Sequence, residues 1–288
     1  MKLFSLLFLV CLSFSVQAES VRVQIIDVGQ ADGIVIRTPS KNHWVVIDAG
    51  TGKQFSELLV DMGVENLDIA IVTHRHFDHQ GGMDDVIRAI PPELFFGVTE
   101  DCPDRTSDDK VREAITEKLV HTHPLTHRPD EHTVDGVKFT IFPLPRRSEC
   151  PEHENLNSMV VRMDYGEFSM LFAGDAEEDE LAWLVENHRD LLDVDVLKAS
   201  HHGSNNGTTA DFLSAVSPDR VVISAGVNGT YKHPMQNAVT AYLNATNDRV
   251  YCTNRHGTIR VYGFASGSSR VYKQNRIDKS CVYDGTHY

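Results

Sequence analysis

Residues 73–82, T-H-R-H-F-D-H-Q-G-G, place three histidines and an aspartate directly after an apolar segment. The apolar segment has the length and composition of a buried strand. An extended chain puts residues i and i+2 on one side, so His74 and His76 are predicted to share a metal ion. Asp78 and His79 follow one turn later and are predicted to face a second ion. Buried imidazoles need partners, so this spacing favours a metal site over an ordinary core.

Metal-ligating residue types also follow two other apolar strands. Asp175 comes shortly after Phe168–Phe172, and its two carboxylate oxygens can bridge two ions. Taken alone, an aspartate after glycine would more often be a turn residue or a helix cap. His201 and His202 follow the apolar run at 194–199, and one of the two is predicted to complete the second ion's site.

Short apolar strands and amphipathic helices alternate along most of the chain. The first three strands are predicted to be antiparallel neighbours, near residues 21–28, 33–38 and 44–48. Strands and helices then alternate as far as residue 262, which predicts an α/β chain with two packed mixed sheets and helices outside. Without a repeat or a linker, residues 19–263 are predicted to form one domain, followed by a tail at 264–288.

Residues 121–135 are predicted to be a polar loop that interrupts this alternation. Four histidines crowd this loop and match no motif: His121, His123, His127 and His132. They carry no functional assignment from the sequence.

The first eighteen residues differ from the rest. Lys2 precedes an apolar run at 3–14, and Val16-Gln17-Ala18 offers small residues for cleavage, as in a secretory signal peptide. The apolar run is about a dozen residues, whereas a membrane-spanning helix needs roughly 20. The sequence therefore predicts a secreted or periplasmic protein with no stable membrane insertion after residues 1–18 are removed.

The charge balance is acidic, with 27 Lys and Arg against 41 Asp and Glu, for a formal net charge of −14. Such a surface repels polyanions, DNA included, unless basic residues gather locally. The basic run near the end of the chain is more typical of a solvated tail: it consists of Arg270, Lys273, Arg276 and Lys279.

Four cysteines follow the signal segment, an even number that suits an oxidising compartment and allows three pairings. We predict that Cys252 pairs with Cys281 and pins the tail, since little apolar sequence could otherwise hold it. Cys102 is then predicted to pair with Cys150, each being followed by proline in a loop.

Six motifs occur in an order that resembles the metallo-β-lactamase superfamily, and in particular the hydrolase domain of the ComEC competence proteins. The motifs are I-D-V-G-Q-A-D at 26–32, V-I-D-A-G at 46–50, N-S-M-V at 157–160, F-A-G-D at 172–175, H-H-G-S at 201–204 and K-H-P at 232–234. The resemblance spans about residues 21–263 and implies a four-layer αββα fold. Asp27 and Gln30 in the first motif are expected to brace the metal loop.

Two departures from the ComEC pattern bear on the ligand set. His76 stands where ComEC-like chains often have aspartate, and His153 lies four residues before Asn157, as the third histidine does in many lactamase-type members. The resemblance implies His74, His76 and His153 at the first ion, Asp78, His79 and either His201 or His202 at the second, and a shared Asp175. Imidazole dominates this set, which favours zinc, while the carboxylates also suit manganese.

A dinuclear centre indicates a hydrolase. Two cations about 3.5–4 Å apart lower the pKa of a bridging water and generate hydroxide at neutral pH. The resemblance implies a phosphodiesterase or nuclease acting on DNA or another phosphodiester, with Asp78, His202 and His233 as catalytic residues. The alternatives are a phosphorylcholine-type ester or a carbonyl substrate, namely a β-lactam, lactone or thioester. A metal-stabilised binding module would not need the whole set of residues, and no protein partner is predicted.

Overall fold

The computed structural model describes residues 19–97, 106–124, 128–142, 153–227, 231–275 and 281. The predicted signal peptide at 1–18 and the predicted Cys102–Cys150 pair lie outside these residues.

Fifteen strands occur in the described residues. They are β1 Ser20–Ile25, β2 Gly33–Arg37, β3 Trp44–Ala49, β4 Leu67–Ile71, β5 Pro92–Phe96, β6 His121–Thr122, β7 Asp130–Val134, β8 Val137–Ile141, β9 Val161–Tyr165, β10 Phe168–Phe172, β11 Val196–Lys198, β12 Arg220–Ile223, β13 Val250–Cys252, β14 Ile259–Phe264 and β15 Ser269–Lys273.

Eight α-helices accompany these strands. They are α1 Gln54–Asp61, α2 Phe77–Gln80, α3 Met83–Ala89, α4 Thr106–Lys118, α5 Glu178–His188, α6 Ala210–Val216, α7 Gln236–Thr246 and α8 Thr253–His256. Within the described ranges, none of these helices has both the length and the apolar character that crossing a bilayer requires.

The strands form two mixed sheets, as the alternation predicted. The eight-stranded sheet has the order β15-β14-β1-β2-β3-β4-β5-β6, and the seven-stranded sheet has the order β13-β12-β11-β10-β9-β8-β7. The strands β1, β2 and β3 pair antiparallel, as expected, while β3 to β6 are parallel. In the second sheet β10 to β13 are parallel and β7 to β10 antiparallel.

Alternate side chains explain why the two sheets pack face to face. Along β1, Val23 and Ile25 point into the core between the sheets, where they meet Val161 and Met163 of β9. The outer faces carry a second set of apolar residues, such as Val46 under α1 and α3 and Leu197 under the helices of the other side. A period of two along each strand with helices on both outer faces gives the four-layer αββα fold.

Three edge strands, β6, β7 and β15, were not predicted from the sequence. The prediction of a polar loop at 121–135 is wrong, because β6 and β7 both lie in it. Part of the segment interpreted as a tail forms β15, which pairs with β14 and extends the sheet to Lys273. Exposed and half-buried residues alternate along β7 and β15. An edge strand buries little apolar surface, so its sequence lacks a strong apolar pattern.

The predicted bond between Cys252 and Cys281 is confirmed. Cys252 ends β13 within the core beneath the helices, and the two Cα atoms are 5.8 Å apart. Both side chains are fully buried. The bond therefore fixes residue 281 to the second sheet.

Breaking this bond should lower stability. Replacing Cys281→Ser should reduce the free energy of unfolding by about 3–4 kcal/mol, because the bond closes a loop with a sequence separation of 29. Urea denaturation of the oxidised proteins measures the difference. Cys252→Ser and the double variant should match Cys281→Ser, and a double variant as stable as the wild type would contradict the role of the bond.

Candidate metal centre

Several buried strands deliver polar side chains to one end of the sandwich. The metal loop follows β4, Asp175 follows β10, and His202 follows β11. Asp32 precedes β2, and Asp48 lies in β3. The sequence predicted that the ligands of the first three segments follow separate strands, and the structure brings together strand ends from both sheets.

His74, His76 and Asp175 form a first donor group. The Nε2 atom of His74 lies 3.0 Å from Nδ1 of His76 and 3.9 Å from Oδ2 of Asp175. Each residue offers one ligand atom, and these atoms lie within 4.8 Å of one another. Burial and the neighbouring His79 lower the pKa of His74 well below its usual value, so its ring is neutral and able to ligate.

A second donor group consists of Asp78, His79 and His202, whose ligand atoms also lie within 4.8 Å of one another. The Nε2 atom of His202 is 3.4 Å from Oδ2 of Asp78. Asp175 adjoins this group as well: its Oδ1 is 3.2 Å from Nε2 of His79, and its Oδ2 is 3.6 Å from Nε2 of His202. The Asp175 carboxylate therefore lies between the two groups.

The unpartnered atoms of the site fit divalent cations. Nε2 of His79, Nε2 of His202 and Oδ1 of Asp175 are shielded from solvent and have no hydrogen-bond partner. His79 and Asp175 approach each other without hydrogen-bond geometry. Leaving three such atoms unsatisfied is costly, whereas imidazole and carboxylate ligands converging on one point satisfy a metal ion.

Hydrogen bonds on the far side of each ring aim these nitrogens. Nδ1 of His79 lies 2.8 Å from Oδ2 of Asp48, and Nδ1 of His202 lies 2.9 Å from the carbonyl oxygen of Ser224. Both partners accept, so each Nδ1 donates, and each Nε2 offers a lone pair to a cation that displaces its proton. Asp48 is held in turn by the backbone N–H and the hydroxyl of Thr73, at 2.8 and 2.7 Å.

The charges of the site are strongly coupled. Burial pulls the pKa of His202 down, but the carboxylates of Asp175 and Asp32 raise it to about 10. Burial also lowers the pKa of His79, but the carboxylates of Asp175 and Asp48 outweigh it and raise this pKa well above its usual value. Burial raises the pKa of Asp175. The neighbouring His79 and His202 outweigh burial, so this pKa falls well below its usual range. The carboxylates thus attract positive charge, whether protons or cations.

Unusual backbone conformations present these side chains. Gly174 has φ +52°, and a Cβ there would lie 2.4 Å from Oγ of Ser158, which accepts the backbone N–H of Asp175 at 2.7 Å. His201 and His202 both have positive φ, 46° and 52°. Such angles are rare for residues other than glycine and cluster at functional sites.

The structure distinguishes the two adjacent histidines. His202 is buried against Asp78 and Asp175, while the half-buried His201 turns its Nδ1 to Oδ1 of Asn206, at 3.1 Å. His201 still reaches Asp175 with Nε2, at 3.8 Å. The geometry places His202, rather than His201, in the second donor group.

His153 is placed differently from the other predicted ligands. Its side chain is exposed, at the start of the 3-10 turn Glu154–Asn157. Glu154 takes the inward position instead and pairs with the buried Arg75 of the metal loop, Oε1 to Nη2 at 3.3 Å. Metal ligation by His153 stays a prediction.

Asp27 and Gln30 of the first motif have contacts other than the expected ones with the metal loop. Asp27 is exposed and accepts the backbone N–H of Gly29, so it does not brace the metal loop. Gln30 contacts His233 instead, Nε2 to Nδ1 at 3.3 Å. The backbone N–H of Gly226 donates to Oε1 of Gln30, which fixes the amide and makes its Nε2 the donor to His233.

His233 lies beside the second donor group. Its ring is 5.3 Å from that of His201 and 6.1 Å from that of His202. Burial and the neighbouring His202 lower the pKa of His233 to about 4, so the ring is neutral at pH 7. Because Nδ1 accepts from Gln30, the neutral ring carries its proton on Nε2 and can donate a hydrogen bond.

Sequence reasoning missed a buried ion pair behind the site. Lys198, on the apolar strand β11, is fully buried and contacts the carboxylate of Asp32. Oδ1 of Asp32 lies 3.5 Å from Nδ1 of His202. The available signal was a lysine within an otherwise apolar strand, which calls for a buried partner.

The comparisons with known proteins agree with this geometry. The family model of the Metallo-beta-lactamase superfamily matches residues 26–227. This chain belongs to that superfamily. Among the relatives, ComE operon protein 3 of Bacillus subtilis is 29% identical over 87% of this chain. Competence protein ComA of Neisseria gonorrhoeae is 28% identical over 87% of this chain. This superfamily member spans 34% of the length of each of these two relatives.

Solved structures of the superfamily share the fold at low sequence identity. The metallo-beta-lactamase fold protein YhfI from Bacillus subtilis aligns with a TM-score of 0.53 at 13% identity, covering 88% of this chain and 100% of that one. Zn(2+)-bound PqqB from Methylobacterium extorquens aligns with a TM-score of 0.53 at 12% identity, covering 82% of this chain and 99% of that one. These likenesses show the fold, while the family model makes the chain a metal-dependent hydrolase by family, and its donor groups are candidate metal sites.

Removing the buried lysine should destabilise this superfamily member strongly. Lys198→Met should cost about 3–5 kcal/mol of unfolding free energy, because it leaves Asp32 charged, buried and unpaired. Adding Asp32→Asn should recover more than half of that loss. Urea denaturation measures both variants. A loss below about 1 kcal/mol for Lys198→Met would show that the pair contributes little.

Proposed function

We propose that this chain is a secreted, dinuclear metal-dependent phosphodiesterase, with zinc as the favoured metal. The observation that carries the proposal is the position of Asp175 between two donor groups, with the unpartnered Nε2 atoms of His79 and His202, both in the second group, 3.2 and 3.6 Å from its carboxylate oxygens. A carboxylate shared in this way suits two adjacent cations. Four of the ligand atoms are imidazole nitrogens shielded or half-shielded from solvent, which favours zinc over harder ions.

The ligand assignment follows the two groups. His74, His76 and Asp175 would hold the first ion, and Asp78, His79, His202 and Asp175 the second. Two bound cations would activate a water molecule and neutralise charge on the substrate. Within the chain, Asp48 and the carbonyl of Ser224 keep the rings of His79 and His202 in the ligating tautomer.

His233 suits the role of a hydrogen-bond donor to the substrate. Gln30 accounts for its Nδ1, which leaves the Nε2 proton for an oxygen atom of the phosphoryl group. The ring stays neutral near pH 7, so it donates without a titratable charge. A fixed donor at the position where negative charge grows lowers the barrier of such a displacement.

Exposed aromatic side chains near the site favour a nucleotide substrate. Phe77, between the metal-loop residues His76 and Asp78, is 58% exposed. Tyr231 is 61% exposed, and its ring lies 6.1 Å from that of His233. Aromatic rings at such positions can stack on bases, which contributes about 1–3 kcal/mol per base in single-stranded complexes.

A polyanion would be repelled by the acidic net charge of the chain unless basic residues gather locally. Four arginines gather on one face of the eight-stranded sheet, which we call the arginine face: Arg22, Arg37, Arg260 and Arg270. On the outer face of the eight-stranded sheet, Arg22 is in register with both Arg37 and Tyr262, Arg260 with Tyr272, and Arg270 with Tyr262. In the described part of the chain, no carboxylate lies within ion-pair distance of Arg22, Arg37, Arg260 or Arg270. Four arginines without a carboxylate partner among the described residues stand out on a chain with a net charge of −14. Together with two tyrosines they match the backbone and bases of a nucleic acid.

The assay compares the hydrolysis of a phosphodiester with the hydrolysis of a β-lactam. Purified zinc-loaded protein should hydrolyse bis(p-nitrophenyl) phosphate, and chelation should abolish the activity. Nitrocefin, a β-lactam, should be turned over at least about 100-fold more slowly in kcat/KM. Faster turnover of nitrocefin than of the phosphodiester would replace the proposal by carbonyl hydrolysis.

Asp175→Ala provides the matched variant for this assay. It should bind fewer ions and lose more than about 100-fold in kcat, because losses from residues behind the ligands are typically 10 to 100-fold. Circular dichroism should show that the fold persists, since Asp175 lies in a turn after β10 rather than in a strand. Retention of more than about a tenth of the activity would contradict the shared position.

Reversing charge on the arginine face should weaken nucleic-acid binding and spare the chemistry. The double variant Arg260→Glu, Arg270→Glu should lower the slope of log affinity against log salt for single-stranded DNA by about 0.7 per lost phosphate contact. Its kcat on bis(p-nitrophenyl) phosphate should not change. Fluorescence anisotropy over a salt series measures the slope.

A matched control makes the same charge change elsewhere. Lys53 and Lys138 are ion-paired with Glu57 and Glu131. The double variant Lys53→Glu, Lys138→Glu should bind DNA as the wild type does. Equal loss in both double variants would show an effect of net charge alone, and no role for the face.

A further inference from the structure

We propose that His123, Asp130 and His132 form an additional divalent-cation site that ties the open edges of the two sheets together. The three residues lie in the segment that sequence analysis left without a function. Each offers one ligand atom, and these atoms lie within 4.8 Å of one another.

The topology brings these residues together from both sheets. β6 is the last strand of the eight-stranded sheet and β7 the last of the seven-stranded one. His123 directly follows β6, and its backbone N–H donates to the carbonyl of Phe95 on β5, at 2.9 Å. Asp130 and His132 belong to β7, so the three side chains span the gap between the sheets.

The pleat of β7 directs its two ligands inward. Asp130, His132 and Val134 alternate with the exposed Glu131 and Thr133 along the strand. Val134 packs against the core between the sheets. Residues two apart on a strand share a face, so Asp130 and His132 point toward the other sheet as Val134 does.

The distances are those of a metal site. Oδ1 of Asp130 is 3.3 Å from Nε2 of His132, and Oδ2 of Asp130 is 3.3 Å from Nδ1 of His123. A tetrahedral zinc ion with bonds of about 2.0–2.1 Å separates its ligand atoms by about 3.3 Å. The ring of His132 and the carboxylate therefore need little movement to ligate an ion, with a fourth position for water. Nδ1 of His123 lies 3.0 Å from the carbonyl oxygen of Pro124, and it must release that hydrogen bond when it ligates.

One nitrogen of the cluster lacks a partner. Nε2 of His132 is shielded from solvent and makes no hydrogen bond, since its contact with Asp130 lacks the required geometry. A buried polar atom left in this state costs free energy. A cation between His132 and Asp130 would satisfy both atoms.

Phe96 holds both rings in place. The ring of His123 stacks on that of Phe96 with centroids 4.9 Å apart, and the ring of His132 meets Phe96 edge-on at 4.8 Å. Phe96 is buried in the core between the sheets, so its position is fixed. The three ligand side chains are 22–26% exposed, which leaves a route for an ion from solvent.

Such an ion would link the edge strands of the two sheets. β6 is two residues long and pairs with β5 alone, and β7 pairs with β8 alone in the described topology. Because its ligands come from both edges, the ion binds the folded arrangement and not the separated strands. It therefore stabilises the contact between the two edges. The site is independent of the proposed phosphodiesterase activity.

The test counts zinc ions and follows local exchange. After chelator treatment and dialysis against buffered zinc, the wild type should hold one more ion per chain than His132→Gln or Asp130→Asn. Zinc should also slow amide hydrogen exchange at residues 121–123 and 130–134 in the wild type. It should do so equally in Asp175→Ala, in which the catalytic centre is impaired, and not in His132→Gln.

Glu131→Gln is the control, because Glu131 lies on the same strand with its carboxylate on the opposite, exposed face. It should keep the wild-type zinc count, and all three β7 variants should keep the wild-type kcat on the phosphodiester. The proposal is overturned if His132→Gln and Asp130→Asn bind as much zinc as the wild type. It is equally overturned if zinc leaves exchange at these edges unchanged. Asp130→Asn is close in shape to the wild type and serves if His132→Gln fails to fold.

Discussion

The buried carboxylate of Asp175 is the constraint on which the site depends. It is 2% exposed and lies within 4 Å of ring nitrogens of His74, His79, His201 and His202. A carboxylate cannot stay charged in such a place without compensating positive charge. The chain supplies imidazoles from two loops, and the unpartnered nitrogens of His79 and His202 leave room for cations as the compensating charge. Gly174 gives the turn its shape, and Ser158 fixes the amide of Asp175.

A second layer of interactions holds the imidazoles in position. Asp48 and the carbonyl of Ser224 orient His79 and His202, and the buried Lys198 balances Asp32 beside them. Each of these groups lies in or next to a strand of the sandwich core, so the rigidity of the sheets passes to the rings. Long, mobile side chains at the surface would not give the same accuracy of placement.

Two further groups of polar and charged side chains lie on separate parts of the surface. The arginine face lies on β1, β2, β14 and β15, whereas the cluster of His123, Asp130 and His132 joins the opposite ends of both sheets. Net charge alone therefore describes this protein poorly, because four arginines that have no acidic partner in the described part of the chain create a local field of opposite sign. Edge strands contribute to both features, since their polar side chains remain accessible.

The sequence by itself determined the features that depend on local spacing. The metal loop places His74 and His76 two residues apart, strand ends deliver Asp175 and the His201-His202 pair, and alternating elements predicted two mixed sheets. Only the tertiary structure decided which of His201 and His202 faces the second donor group, and that Glu154 rather than His153 turns inward. It also paired Lys198 with Asp32 and brought His123 to β7. These contacts join segments far apart in the chain, and local periodicity carries no information about which strand ends meet.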